Sequence, residues 1–170
     1  MVTNPVVVER QLVVERRSFV STRSFADVIA ALHGAIGHPD MAQFWKDIAA
    51  AKTYEEVDIV VGRAIGPSGF MEFARMDHGQ FLHKIEAAST PRIVRLIIGN
   101  PLIMVKMAKH VHDAGSYAPV TILIDERPDG VHLSYDLMAS LLASYGNLAA
   151  LEVARSLDEK VETLLQAAAS

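Results

Sequence analysis

The chain has 170 residues, 51% hydrophobic and 21% charged, a balance that suits one self-sufficient globular core and lies well away from the composition of disordered chains. Sixteen basic against twenty acidic residues leave a net charge of −4, which argues against non-specific nucleic-acid binding, because that needs surplus positive charge to displace counterions. There are no cysteines, so disulfides, thiolate zinc sites, iron–sulfur clusters and cysteine nucleophiles are all excluded.

The N-terminus, MVTNPVVVERQ, lacks a basic n-region, and no apolar run approaches the ~20 residues that span a bilayer. A cytoplasmic protein with no membrane partner is expected. From Val6 to Ser21 the chain is rich in valine, interrupted by Glu9-Arg10 and Glu15-Arg16-Arg17. That predicts one long or two short strands with charges protecting an edge. Ser24 then precedes a helix whose apolar positions are Phe25, Val28, Ile29, Leu32 and Ile36, stopped at Gly37. Pro39 and Asp40 open a second helix, and Thr53 with Glu56 forms a capping-box pattern for a third.

Past Gly66-Pro67-Ser68-Gly69 the pattern turns to strands, FMEFARM and then RIVRLII up to Gly99-Asn100-Pro101. Pro101 suits the first turn of a helix running LIMVKMAKHVHD. A hairpin follows: APVTILID, the turn Glu126–Gly130, and VHLSYD. Two helices close the chain, near Leu137–Ala143 and from about Ala149 to Ala168, the latter with an apolar stripe through Ala154, Leu157, Val161 and Leu164. With no linker, the expectation is a single domain over 1–170, its core about 11–167. The fold class expected is α+β, an antiparallel sheet packed on one face by helices.

The seven histidines invite three chemical readings. On a helix from Leu102 to Val111, His110 and His112 point about 200° apart and cannot share a metal; in the last turn, with Lys106 and Lys109, they suit the helix macrodipole, and no metal site is expected. His132, Ser134 and Asp136 line one strand face, but at ~7 Å intervals they stand too far apart to relay a proton, so a polar sheet face is the better account. Asp77 and His78, between Arg75 and Gly79 at a strand end, could supply an acid and a base, or simply form an Asp/Gly turn. Lys106 and His110, four apart, share a helix face and could line a pocket.

Gly99-Asn100-Pro101, Ala118-Pro119, Asp129-Gly130 and Ser134-Tyr135, preceded by GPSGFMEFARMDHG, together resemble the bacterial and archaeal domain-of-unknown-function family DUF302, over roughly Gln11 to Ala167. The resemblance implies a curved antiparallel sheet backed by helices, in outline like the TATA-binding-protein-like group, and a homodimer; it implies no activity. It also marks Pro39 to Ile65 as an N-terminal helical insertion longer than in the shortest members.

Three functions are compatible with this. A binding module would hold an apolar or amphipathic ligand between sheet and helices, with Met71, Met76, Met104 and Met107 as adaptable walls. Arg75, Arg95, Asn100, Lys106 and His110 are its candidate ligand contacts, and a haem would need His78 or His110 as axial ligand. A cofactor-independent enzyme would use Asp77 and His78, with Arg75 or Arg95 holding an acidic substrate. An assembly protein would act through self-association at its first strand and last helix.

Overall fold

The computed structural model describes residues 5–85 and 90–170. Five antiparallel strands form one open sheet in the order β1-β5-β4-β3-β2. They are β1 (Arg16–Ser21), β2 (Met71–Asp77), β3 (Ile93–Gly99), β4 (Val120–Arg127) and β5 (Gly130–Asp136). Alternation decides which face is covered. Val94, Leu96 and Ile98 of β3, Ile122 and Ile124 of β4, and Leu133 and Tyr135 of β5 are buried on one side, and the helices lie there. The α+β architecture expected from the sequence is the one found.

Eight helices occur among the described residues: α1 (Phe25–Ala35), α2 (Met41–Ala50), α3 (Tyr54–Ala64), α4 (Gly79–Ile85), α5 (Pro101–Ala108), α6 (Ala114–Tyr117), α7 (Met138–Ala143) and α8 (Leu148–Ala169). Their starts are written in the sequence. Ser24, Asp40, Thr53, Asn100 and Asn147 each accept a backbone N–H of the turn that follows, satisfying donors that no helical carbonyl can reach. The α8 stripe, Ala154, Leu157, Val161, Leu164 and Leu165, is buried as its spacing predicts. It packs among α1, α5 and α7 as the spine of the main core. A smaller core of Phe44, Val61, Ala64 and Met71 seats the α2–α3 hairpin, the N-terminal helical stretch, beside β2.

Five elements depart from expectation. Of the stretch Val6–Ser21 only Arg16–Ser21 pairs into the sheet; Pro5–Glu15 has neither helix nor strand, because β5 is occupied as far as Asp136 and offers it no further partner. The hairpin turn is tighter than the sequence suggested: Glu126 and Arg127 stay in the ladder, opposite Val131 and Gly130. Gly130 is required there, with φ +140 and a β-carbon that would stand 2.5 Å from the Ser21 carbonyl oxygen. The helix after Pro101 ends at Ala108, so His110 and His112 sit exposed in the turn beyond it. The short helices α4 and α6 carried no periodic signal in the sequence.

Under the α7 N-terminus lies a buried, fully engaged carboxylate. Leu137, at the α7 cap position, has no side chain to offer, and Asp158 of α8 caps it instead. Its Oδ1 accepts from the Met138 N–H at 2.7 Å and the Tyr135 hydroxyl at 2.6 Å, and its Oδ2 from the Ala139 N–H at 2.9 Å. Burial pushes the Asp158 carboxyl above its ordinary value, against the pull of those three donors. Burial likewise drives the Tyr135 phenol upward, so it stays a donor.

Candidate functional site

The residues that signal the family in sequence converge at one corner of the fold. β3 ends at Gly99, Asn100 turns the chain, and Pro101 begins α5; the segment Ala118-Pro119, joined by a cis peptide bond, lies against it before β4. Gly99 permits the approach: a β-carbon there would stand 3.2 Å from Pro119 Cβ and 3.5 Å from Phe73 Cε2. The side chain of Asn100 accepts the Leu102 N–H at 2.9 Å and donates to the Gly69 carbonyl at 3.1 Å. Both its polar ends are thereby engaged, tying the corner to the loop before β2.

Beside this corner is an apolar pocket of about 110 Å³. Met104, Met107 and Ile103 of α5, Phe73 of β2 and Leu157 of α8 form its walls, and Trp45 of α2 stands at its edge. Met107 is wholly buried, whereas Trp45 is 53% exposed. The indole is 5.1 Å from the Phe44 ring and 6.3 Å from the Phe73 ring, centre to centre. Those spacings suit aromatic packing, and Trp45 and Phe73 both line the pocket. Of the four methionines expected to line a pocket, Met104 and Met107 do so. Met71 belongs to the smaller core, and Met76 is 37% exposed, in register with Arg95 on the sheet face away from the main core.

The polar candidates do not gather around it. Asp77, the last residue of β2, accepts the Gln80 N–H at 3.2 Å and the Gln80 side-chain amide at 3.1 Å, so its carboxylate serves the start of α4. The carbonyl of His78 accepts the Phe81 N–H in the same turn. Arg75 forms a two-pronged pair with Glu72, at 3.2 and 2.8 Å. Arg95 donates to Thr121 Oγ1 at 3.1 Å, and its buried Nε has no hydrogen-bond partner among the described residues. Lys106 and His110 are exposed on α5 and just past it. Only Asn100 of these seven lines the apolar pocket. Neither His78 nor His110 does, and a volume of about 110 Å³, below the ~150 Å³ of a cavity that holds a benzene, suits an alkyl end and not a porphyrin.

The strand trio is also separated. The His132 ring nitrogen donates to Asp129 at 2.9 Å, Ser134 shares a hydrogen bond with Ser18 at 3.0 Å, and Asp136 takes the Arg16 guanidinium at 2.6 and 2.8 Å. Each is paired across the sheet or within the turn and none with the next, as the strand spacing requires. Among the described residues no cluster of three or more His, Asp or Glu could hold a metal ion, and no helix is long and apolar enough to cross a membrane.

The family model described as "domain of unknown function DUF302" matches residues 46–168. The chain belongs to the DUF302 family. The match takes in α3 to α8, both segments of the pocket corner and the Tyr135–Asp158 pair, and it begins well after Gln11, where the resemblance in sequence was expected to start. A similar solved structure is the crystal structure of an uncharacterized conserved DUF302 protein from Bacillus stearothermophilus. It is 11% identical, with a TM-score of 0.63, and the likeness covers 90% of this chain and 97% of that one. At that identity it shows a shared fold. No curated protein matches the chain.

Sequence reasoning reached the corner through Gly99, Asn100, Pro101, Ala118 and Pro119, but it missed Trp45, Phe73 and Leu157. They come from three distant elements, and nothing local marks them. The one available signal was that Trp45, the sole tryptophan, neighbours Phe44 on a helix whose buried face needs only the latter.

Proposed function

We propose that this DUF302 protein binds a small apolar group, or the apolar end of an amphipathic molecule, in the pocket at the β3–α5 corner, and that it acts as a cytoplasmic homodimer. The observation that carries the binding reading is a pocket walled by apolar side chains with a tryptophan left 53% exposed at its edge. Apolar concavities with few polar groups are the usual form of small-molecule sites, and methionine walls adapt to the shape of what enters. The pocket has room for a short alkyl end, so the polar part of a larger ligand lies outside, beyond Trp45. The homodimer is supported by a sheet that ends in two edge strands, β1 and β2; β2 is bridged by Gly37 at its start, which leaves β1 the more open edge for pairing.

Trp45 makes the binding reading directly testable, because its emission is free of any second tryptophan. Titration with decanoate, against acetate as a control, is expected to shift the emission saturably for decanoate alone. Emission that stays flat with both acids, or drifts equally with both, overturns the reading.

A further inference from the structure

The sheet face turned away from the main core ends in a second cavity. Where β4 begins and β5 finishes, α6 and α7 border that face, and a cleft of about 180 Å³ lies there. Thr121, Leu123, Ser134 and Asp136 supply its sheet side, with Arg16 of β1; Tyr117, Met138 and Leu141 supply the other. Val120 alone is common to this cleft and the apolar pocket, so the two are separate sites.

The hydrogen bonds along the cleft leave donors over. Among the described residues Asp136 is the only carboxylate that lines it, and both of its oxygens are engaged by Arg16, at 2.6 and 2.8 Å. That pair is neutral. Thr121 Oγ1 accepts from Arg95 at 3.1 Å, which leaves the Thr121 O–H to donate. In the Ser18–Ser134 pair, at 3.0 Å, one hydroxyl donates and the other keeps a spare O–H.

Arg95 brings the charge. It stands opposite Leu123 in the ladder, and its side chain leans along the sheet to Thr121, which lines the cleft. Among the described residues no carboxylate pairs with it, and its Nε has no partner. A half-buried guanidinium without a counter-ion is a cost that the fold leaves unmet.

We propose that this cleft binds a small organic carboxylate. Its oxygens accept from the Arg95 guanidinium and the Thr121 hydroxyl, and a short apolar body lies against Leu123 and Leu141. Spare donors without spare acceptors select an anion, and one unpaired guanidinium matches one negative charge. The apolar lining gives a bare inorganic ion nothing to bury, whereas a carbon skeleton buries apolar area there. A phosphate would call for further donors such as a free helix N-terminus, and the α7 N-terminus at Met138 is already closed by Asp158.

Titration of the full chain with butyrate, followed by proton–nitrogen correlation spectra, tests the site. Butyrate is expected to shift the Thr121, Leu123 and Ser134 amides saturably. Butanol, with the same carbon chain and no charge, and inorganic phosphate are expected to leave them in place. Arg95→Gln should weaken butyrate binding by roughly tenfold or more. Thr121→Val keeps the side chain's shape and should weaken it by a few-fold. Amides that stay still with butyrate, or that move as far with butanol or phosphate, overturn the proposal. So does binding of parent strength in either variant. Trp45 does not line the cleft, so its emission reports on the apolar pocket alone and the two readings fail separately.

Discussion

Two sites draw on adjacent residues of α8, Asp158 for one and Leu157 for the other, and they differ in how their groups are spent. At Tyr135 and Asp158 each side-chain polar atom has a partner, and three donors converge on one carboxylate. At Gly99-Asn100-Pro101 the one polar side chain is also fully engaged, yet the apolar walls around it close on a hole of about 110 Å³. Unfilled apolar space forfeits dispersion contacts and costs stability. The first site explains itself as structure; the second leaves a cost that ligand binding would offset.

The sharpest test of this contrast is Asp158→Ala. It leaves the Met138 and Ala139 N–H groups and the Tyr135 hydroxyl without an acceptor under α7, and is expected to cost about 3 kcal/mol in urea unfolding. Tyr135→Phe, which removes one of the three donors, should cost about half as much. Neither should change decanoate affinity at Trp45. The opposite profile belongs to Met104→Phe, which fills the pocket. It is expected to lower decanoate affinity by roughly tenfold or more while moving stability by less than about 1 kcal/mol, read by the same titration and by thermal unfolding.

Asn100→Ala bridges the two behaviours. Loss of the α5 cap is expected to cost about 1 kcal/mol, and loss of the tie to Gly69 should loosen the corner and weaken binding as well. The smallest effect is in pH dependence. Because burial raises the Asp158 carboxyl above 3.8, the folded chain holds that proton more tightly than the unfolded one. Its contribution to stability is therefore greatest below that value and falls as pH rises through the raised one. Urea midpoints of the parent and Asp158→Asn, compared from about pH 3 to about pH 7, should show the parent's relative stability declining with pH and then levelling.

Legibility in the sequence follows the range of the forces concerned. Caps at Ser24, Asp40, Thr53 and Asn100 were readable because a side chain and the N–H it accepts lie two or three residues apart. The α8 stripe was readable because one helix periodicity repeats over its whole length. Asp158 was invisible as a cap: it serves a helix 20 residues earlier in the chain, and its sequence neighbours make it look like one more exposed acid. Asp77 is the reverse case: its proximity to His78 suggested chemistry, and in the fold its carboxylate accepts from Gln80. Half of the candidate site was legible as motif, Gly99 to Pro101 and Ala118-Pro119; the walls supplied by Trp45, Phe73 and Leu157 depended on tertiary packing.

The most direct test of the binding reading is a crystal structure of the chain grown with decanoate. The account predicts the alkyl end of the acid between Met104, Met107 and Phe73, with its carboxylate in solvent past Trp45. Decanoate bound elsewhere while that pocket stays empty would contradict it.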